Sequence, residues 1–242
     1  MRNDADMNEQ QKAVCERLET IRANIAAACR QAGRTPDSVS LMAVTKTVDP
    51  LLINTACDEG VRLLGENRVQ EFLSKCEAYR PEASVQFIGH LQTNKVKQII
   101  GKVSMIQSVD SLHLAAEIHK QAEKCGIVMP ILLEVNIGGE ESKSGVAPEA
   151  LPQLMEDVQK LSSVKLCGLM TIPPPAAEIA AQDAVFEKMQ ALFEKMQSVC
   201  RMDTLSMGMS GDYESAVRHG ATVVRIGSAL FGARYYPPKD GK

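Results

Sequence analysis

The amino-acid sequence predicts a (β/α)8 TIM barrel, an α/β fold in which eight parallel strands each lead into a helix. Three observations point there. Eight short apolar runs recur along the 242 residues, roughly 20–35 residues apart. Helix-like stretches lie between them, the alternation that builds a parallel sheet. The eighth run falls close to the last residue, and eight such units favour a closed barrel over a doubly wound open sheet, the alternative. No interdomain linker interrupts the series, so residues 1–242 read as one domain with an ordered core over about 10–234.

An extra helix precedes the barrel. Val14, Leu18, Ile21, Ile25 and Ala28 fall three and four apart, which places them on one helical face. "QAGRTPD" closes that helix, with Gly33 as its C-cap. The first strand is "VSLMAVT" (39–45), and Asp49-Pro50 stops it. The others are "VRLLG" (61–65), "SVQFIG" (84–89), "VSMIQSV" (103–109), "PILLEVNI" (130–137), "VKLCGLM" (164–170), "DTLSMG" (203–208) and "TVVRIG" (222–227). Helices are expected over 51–59, 67–79, 111–125, 148–162 and 178–200. "TIPPPAAE" (171–178) is proline-rich and fits a strand-to-helix loop.

Composition narrows the function. The net charge is −3, from 27 basic and 30 acidic residues, so no electrostatic footprint for nucleic acid or an anionic membrane is visible. No apolar run approaches the ~20 residues of a membrane helix. The polar "MRNDADMNEQ" lacks the apolar centre of a secretory signal. Seven scattered cysteines without a CxxC pair suggest reduced thiols in a cytoplasmic protein. The four histidines, His113 and His119 among them, form no metal-ligand pattern.

In a parallel α/β fold, function gathers at the carboxyl ends of the strands. There this chain places Lys46, "GENRVQEF" (65–72), "GHLQTNK" (89–95), "NIGGEESKSG" (136–145), "MGMSGDYESA" (207–216) and "GSALFGAR" (227–234). The last two loops share a design. Ser210 and Gly211 precede a helix starting near Asp212 or Tyr213, and Gly227 and Ser228 precede a short helical turn. Backbone N–H groups and a hydroxyl at a helix start favour an anion, and barrels often seat a phosphate between their last two loops. Taken singly, Ser210 reads as an N-cap and Gly227 as a turn glycine; taken together, they read as a phosphate cup.

Lys46 is either a solvated lysine at a strand end or an amine at an apolar mouth. In the second case its pKa falls toward neutrality, which makes it nucleophilic toward an aldehyde. A lysine and a phosphate cup on one rim fit a Schiff-base aldolase for sugar phosphates, or a site for pyridoxal 5′-phosphate (PLP). No acid/base pair suited to an aldolase stands out. Glu66 and Glu134 are candidates, each equally readable as an orienting or structural acid.

The motifs "AVTKT", "GENRVQE", "FIGHLQTNK", "LLEVNIGGEESKSG", "LMTIPP", "LSMGMSGD" and "VRIGSALFG" together resemble the PLP-binding homeostasis proteins. That family's barrel is similar to the N-terminal domain of bacterial alanine racemase, and the resemblance runs from about residue 39 to 234. It implies that Lys46 carries PLP as an internal aldimine. It also implies that Ser210, Gly227 and Ser228 hold the phosphate and that Arg225 faces the pyridine nitrogen. Asn67 and His90 would line the ring side, and Met207 would pack near the ring. Read without the family, His90 is a satisfied strand-end histidine, Met207 plain core, and Arg225 an exposed or salt-bridged arginine.

An arginine at the ring nitrogen keeps that nitrogen unprotonated, which makes the ring a poor electron sink and disfavours transaminase chemistry. The resemblance therefore implies an intracellular PLP homeostasis protein without robust catalysis, with apo PLP-dependent enzymes as recipients. A single-domain amino-acid racemase is the alternative. It needs a second acid/base on the far face of the ring, which alanine racemase takes as a tyrosine from a second domain of the partner subunit. Here the sequence ends at "YYPPKDGK" after the eighth unit. Tyr213 is the spare candidate, while Tyr235 and Tyr236 read as packing on the outside of the barrel. Lys143 reads as solvated charge or as a second amine to which PLP passes. A cytoplasmic monomer that binds neither nucleic acid nor membrane is the expected form.

Overall fold

The computed structural model describes residues 7–140, 144–173 and 179–233. Its strands are β1 (Ser40–Val44), β2 (Leu63–Glu66), β3 (Ser84–Phe87), β4 (Met105–Val109), β5 (Met129–Glu134), β6 (Val164–Met170), β7 (Thr204–Ser206) and β8 (Val223–Ile226). They pair in parallel, in chain order, and close into a barrel. Met42 of β1 lies opposite Leu63 of β2 on one side and Arg225 of β8 on the other. The expected (β/α)8 barrel is the observed one; β6 matches its apolar run residue for residue, and the other strands differ from theirs by a few residues at one or both ends.

The expected first helix is α1 (Glu9–Gln31), opened by a capping box. Asn8 accepts from the Gln11 N–H at 2.9 Å, and the Gln11 side chain accepts from the Asn8 N–H at 3.2 Å. At the other end the C-cap is Ala32, not Gly33 as expected. Gly33 stands one residue further on, at φ +67°, where a left-handed residue lets the chain leave the helix.

The outer helices are α2 (Pro50–Asp58), α3 (Val69–Lys75), α4 (Val96–Ile99), α5 (Leu112–Lys124), α6 (Leu151–Gln159), α7 (Ile179–Gln197), α8 (Tyr213–Arg218) and α9 (Ser228–Phe231). A 3₁₀ turn, Cys76–Ala78, ends the stretch expected as one helix over 67–79. The short α4 was not expected. α1 packs on α2, α8 and α9, bracing the closure between β1 and β8. Burial of Val14, Leu18, Ile21 and Ile25 stabilises that closure by roughly 1.5–3 kcal/mol per side chain. Gln11 donates to Thr55 Oγ1 at 3.0 Å, and Arg34 donates to the carbonyls of Val217 and Ala221, each at 2.8 Å.

Two separate layers of side chains fill the structure. One lies between the sheet and the helices. The other is inside the barrel, where Met42, Val44, Ile88 and Val223 pack with Leu63. Gly65 makes room for this inner layer: a Cβ there would sit 2.6 Å from Met42 Sδ and 3.0 Å from Ile88 Cδ1. Among the described residues no helix is long and apolar enough to cross a membrane. Lys143, Tyr235, Tyr236 and most of "PPPAAE" fall outside the described residues.

Candidate functional site

At the carboxyl end of the barrel lies a cleft of about 300 Å³, the size of a small-molecule site. It brings together Lys46, Asn67, Ser210, Gly227 and Ser228 from strand-end loops with Arg225 from β8 itself. Val44, Ile88 and Ile172 supply its apolar surface.

Lys46 is half-buried one residue after Thr45, which is fully buried. The peptide groups on either side of it are held from α3. Lys75 Nζ donates to the Thr45 carbonyl at 2.7 Å and to Glu71 Oε1 at 2.7 Å. Glu71 in turn accepts the Thr47 N–H. Thr47 has φ +61°, an unusual conformation for a β-branched residue, so this clamp holds a strained turn beneath the lysine. Burial alone would push the Glu71 carboxyl up, but its bonds from Lys75 and Thr47 outweigh that and hold it below the usual carboxylate range. Beneath the turn, Glu66 is fully buried and accepts from Thr45 Oγ1 at 2.6 Å and from the Tyr79 hydroxyl. It does not line the cleft, so of the two readings open for Glu66 the structural one stands.

At the opposite end, Ser210 Oγ accepts two backbone N–H groups, those of Gly227 and Ala229, each at 3.1 Å. Ser210 is therefore not the N-cap of its own helix. Asp212 stands at that position, and its carboxylate accepts the Met209 N–H and a 2.6 Å bond from Gln182. Burial pushes the Asp212 carboxyl up. The outcome is a cup in which the seventh loop's hydroxyl meets the amides of the eighth.

Arg225 is 3% exposed, neither solvated nor at a surface. One guanidinium N–H donates to Ser206 Oγ and another to the Thr171 carbonyl, each at 2.8 Å. The Ser206 hydroxyl donates to Gln107 Oε1 at 2.7 Å, and Gln107 Nε2 donates to Gln86 Oε1 at 2.6 Å. This chain of hydrogen bonds crosses the barrel interior from β8 to β3, and the two bonds from Arg225 fix the guanidinium's orientation. Burial lowers the Arg225 pKa to about 10, opposed by the charges of Asp212 and Glu134. The group keeps its positive charge at neutral pH.

Three expected residues end up elsewhere. Met207 is fully buried in the layer under the helices and does not reach the cleft; Met209, two residues on, is the methionine that lines it. Gly208 between them has φ +92°, which breaks the strand's alternation of faces. His90 lies beside the cleft, in an adjoining cavity. Its side chain is 65% exposed and its Nδ1 is 4.0 Å from Asp110 Oδ2. The chain before it is pinned, since a Cβ on Gly89 would sit 2.1 Å from the Asn67 carbonyl oxygen. Tyr213 turns outward, and its hydroxyl accepts from Asn24 Nδ2 at 2.9 Å.

Residues 17–235 match the family model described as alanine racemase, N-terminal domain. The pyridoxal phosphate homeostasis protein of Aquifex aeolicus is 47% identical over 225 residues, covering 92% of this chain and 99% of that one. Its namesake in Pseudomonas aeruginosa is 43% identical, covering 92% and 96%. Among solved structures, PipY of Synechococcus elongatus PCC7942 with PLP bound superposes with a TM-score of 0.80 at 32% identity, covering 90% of this chain and 100% of that one. The chain belongs to the alanine racemase N-terminal domain family and, within it, to the pyridoxal phosphate homeostasis proteins.

Proposed function

We propose that the cleft binds PLP, that Lys46 is its covalent anchor, and that the protein stores the cofactor and hands it to PLP-dependent enzymes without robust catalysis of its own. The observation that carries this reading is the opposition, within one cleft, of the Lys46 amine and the two N–H groups that converge on Ser210. The cleft's own residues fit the cofactor. A phosphate oxygen arriving where Ser210 Oγ now accepts from Gly227 and Ala229 gains the same two donors, and the serine hydroxyl turns to donate as well. Asn67 supplies a buried Oδ1 with no hydrogen-bond partner among the described residues, a group that favours a ligand donor. The bound cofactor supplies an aldehyde carbon and an electron-accepting ring.

The protein's contribution is mostly restraint. The clamp from Glu71 and Lys75 aims Lys46. Arg225, charged and fixed by Ser206 and Thr171, holds a permanent cation where the ring nitrogen would otherwise take a proton, and so limits carbanion chemistry. Tyr213, the spare acid that the racemase alternative would call on, is turned away from the cleft, its hydroxyl engaged by Asn24 on the outer face. The test is a transfer experiment. Loaded protein mixed with an apo PLP enzyme restores activity faster than the same concentration of free PLP. Equal or slower recovery would refute hand-over.

A further inference from the structure

Glu134, the last residue of β5, is 6% exposed. No group among the described residues hydrogen-bonds its carboxyl, and such isolation is costly for a buried acid. It faces a second cavity of about 320 Å³, bounded also by Asn67, Ile88, Gly89, His90, Ser144 and Ile172. Asn67, Ile88 and Ile172 line the main cleft as well, so the two spaces adjoin. Burial raises the Glu134 pKa to about 7, helped by the charge of Asp110 and opposed by that of Arg225. The cavity thus has an acid without a partner at one end, a second carboxylate beyond His90, and branched aliphatic walls.

A cation that donates hydrogen bonds and carries a short apolar tail complements this lining. We propose that the cavity is a binding site for the ammonium group of a small primary alkylamine, with the Glu134 carboxylate as its counter-ion and Ile88 and Ile172 against its carbon chain. A charge-assisted bond to the ammonium satisfies the isolated acid. An α-amino acid is a poorer ligand, because its own carboxylate enters a space that already holds the Glu134 carboxyl, with Asp110 beyond His90. The site's bearing on the cofactor rests on the PLP reading: an amine bound here stands beside the cofactor cleft. Binding of the amine itself does not depend on that reading.

The experiment uses the full-length chain stripped of cofactor, labelled with ¹³C at glutamate carboxyls, and n-propylamine as the probe. Glu134→Gln identifies the Glu134 resonance by removing it. Expected is a titration midpoint near 7 without ligand, lowered by at least about one pH unit at saturating amine, a tenfold coupling. Propan-1-ol should leave the midpoint unchanged, and alanine should bind at least about tenfold more weakly than the amine. Amine affinity should weaken as pH falls below 7, because the carboxylate is then protonated. A midpoint unmoved by amine, or moved equally by the alcohol, overturns the proposal. So does equal amine affinity in the Glu134→Gln variant, whose amide is close in shape to the protonated acid. These readings need no PLP. Loss of PLP binding by the parent protein would instead strike the account of the main cleft, so the two failures are distinguishable.

Discussion

Replacing Lys46 with alanine removes the visible absorbance of covalently bound pyridoxal completely, while thermal stability barely changes. The two readouts separate because of where the side chain sits. Lys46 is half-buried at a strand end, and substitutions at such sites usually alter stability by no more than about 0.5 kcal/mol. The strained turn beneath it is held by backbone groups of Thr45 and Thr47, bonded to Lys75 and Glu71, and alanine leaves those bonds in place. The phosphate cup is also untouched, so the variant retains weak, non-covalent affinity for PLP, measurable by equilibrium dialysis. A variant that keeps the visible band would mean the anchor is another amine.

Arg225→Met has the opposite profile, a large loss of stability. The methionine fills much of the volume but leaves Ser206 Oγ without its donor and the Thr171 carbonyl unpaired inside the barrel. It also strips Asp212 and Glu134 of the cation that opposes their burial. Breaking a buried charged network of this kind costs roughly 3–5 kcal/mol. Urea unfolding should show the midpoint falling with the slope little changed. Arg225→Lys keeps the charge, but a single ammonium cannot reproduce the fork that serves two acceptors. It should fall between the parent and the methionine variant. Parent-like stability in Arg225→Met would show that the chain of hydrogen bonds through Ser206, Gln107 and Gln86 is not a structural device.

The barrel was legible because each strand is a compact apolar run and each is followed by a polar loop, a local pattern that needs no tertiary information. What escaped is what depends on the third dimension. The α4 turn hides inside a polar stretch, "TNKVKQII", too short to show helical period. Lys46, Gly227 and Ser228 could be placed because they lie within two residues of a strand end, and Ser210 because it opens the turn into a helix. Met207 could not, since face alternation ends at Gly208, where positive φ turns the chain. His90 follows a glycine pressed against the Asn67 backbone and is carried to the side of the cleft. Glu71 and Lys75 have the four-residue spacing of a helical ion pair. Nothing local tells that the pair reaches over to grip the Thr45–Thr47 turn. Glu134 was visible as an acid, but its isolation and its cavity emerge only from packing.

Reduction of the PLP-loaded protein with borohydride, followed by peptide mass mapping, tests the central claim most directly. The account expects one pyridoxyl group per chain, on the peptide containing Lys46. A label found on the peptide containing Lys143, or on none, would contradict it.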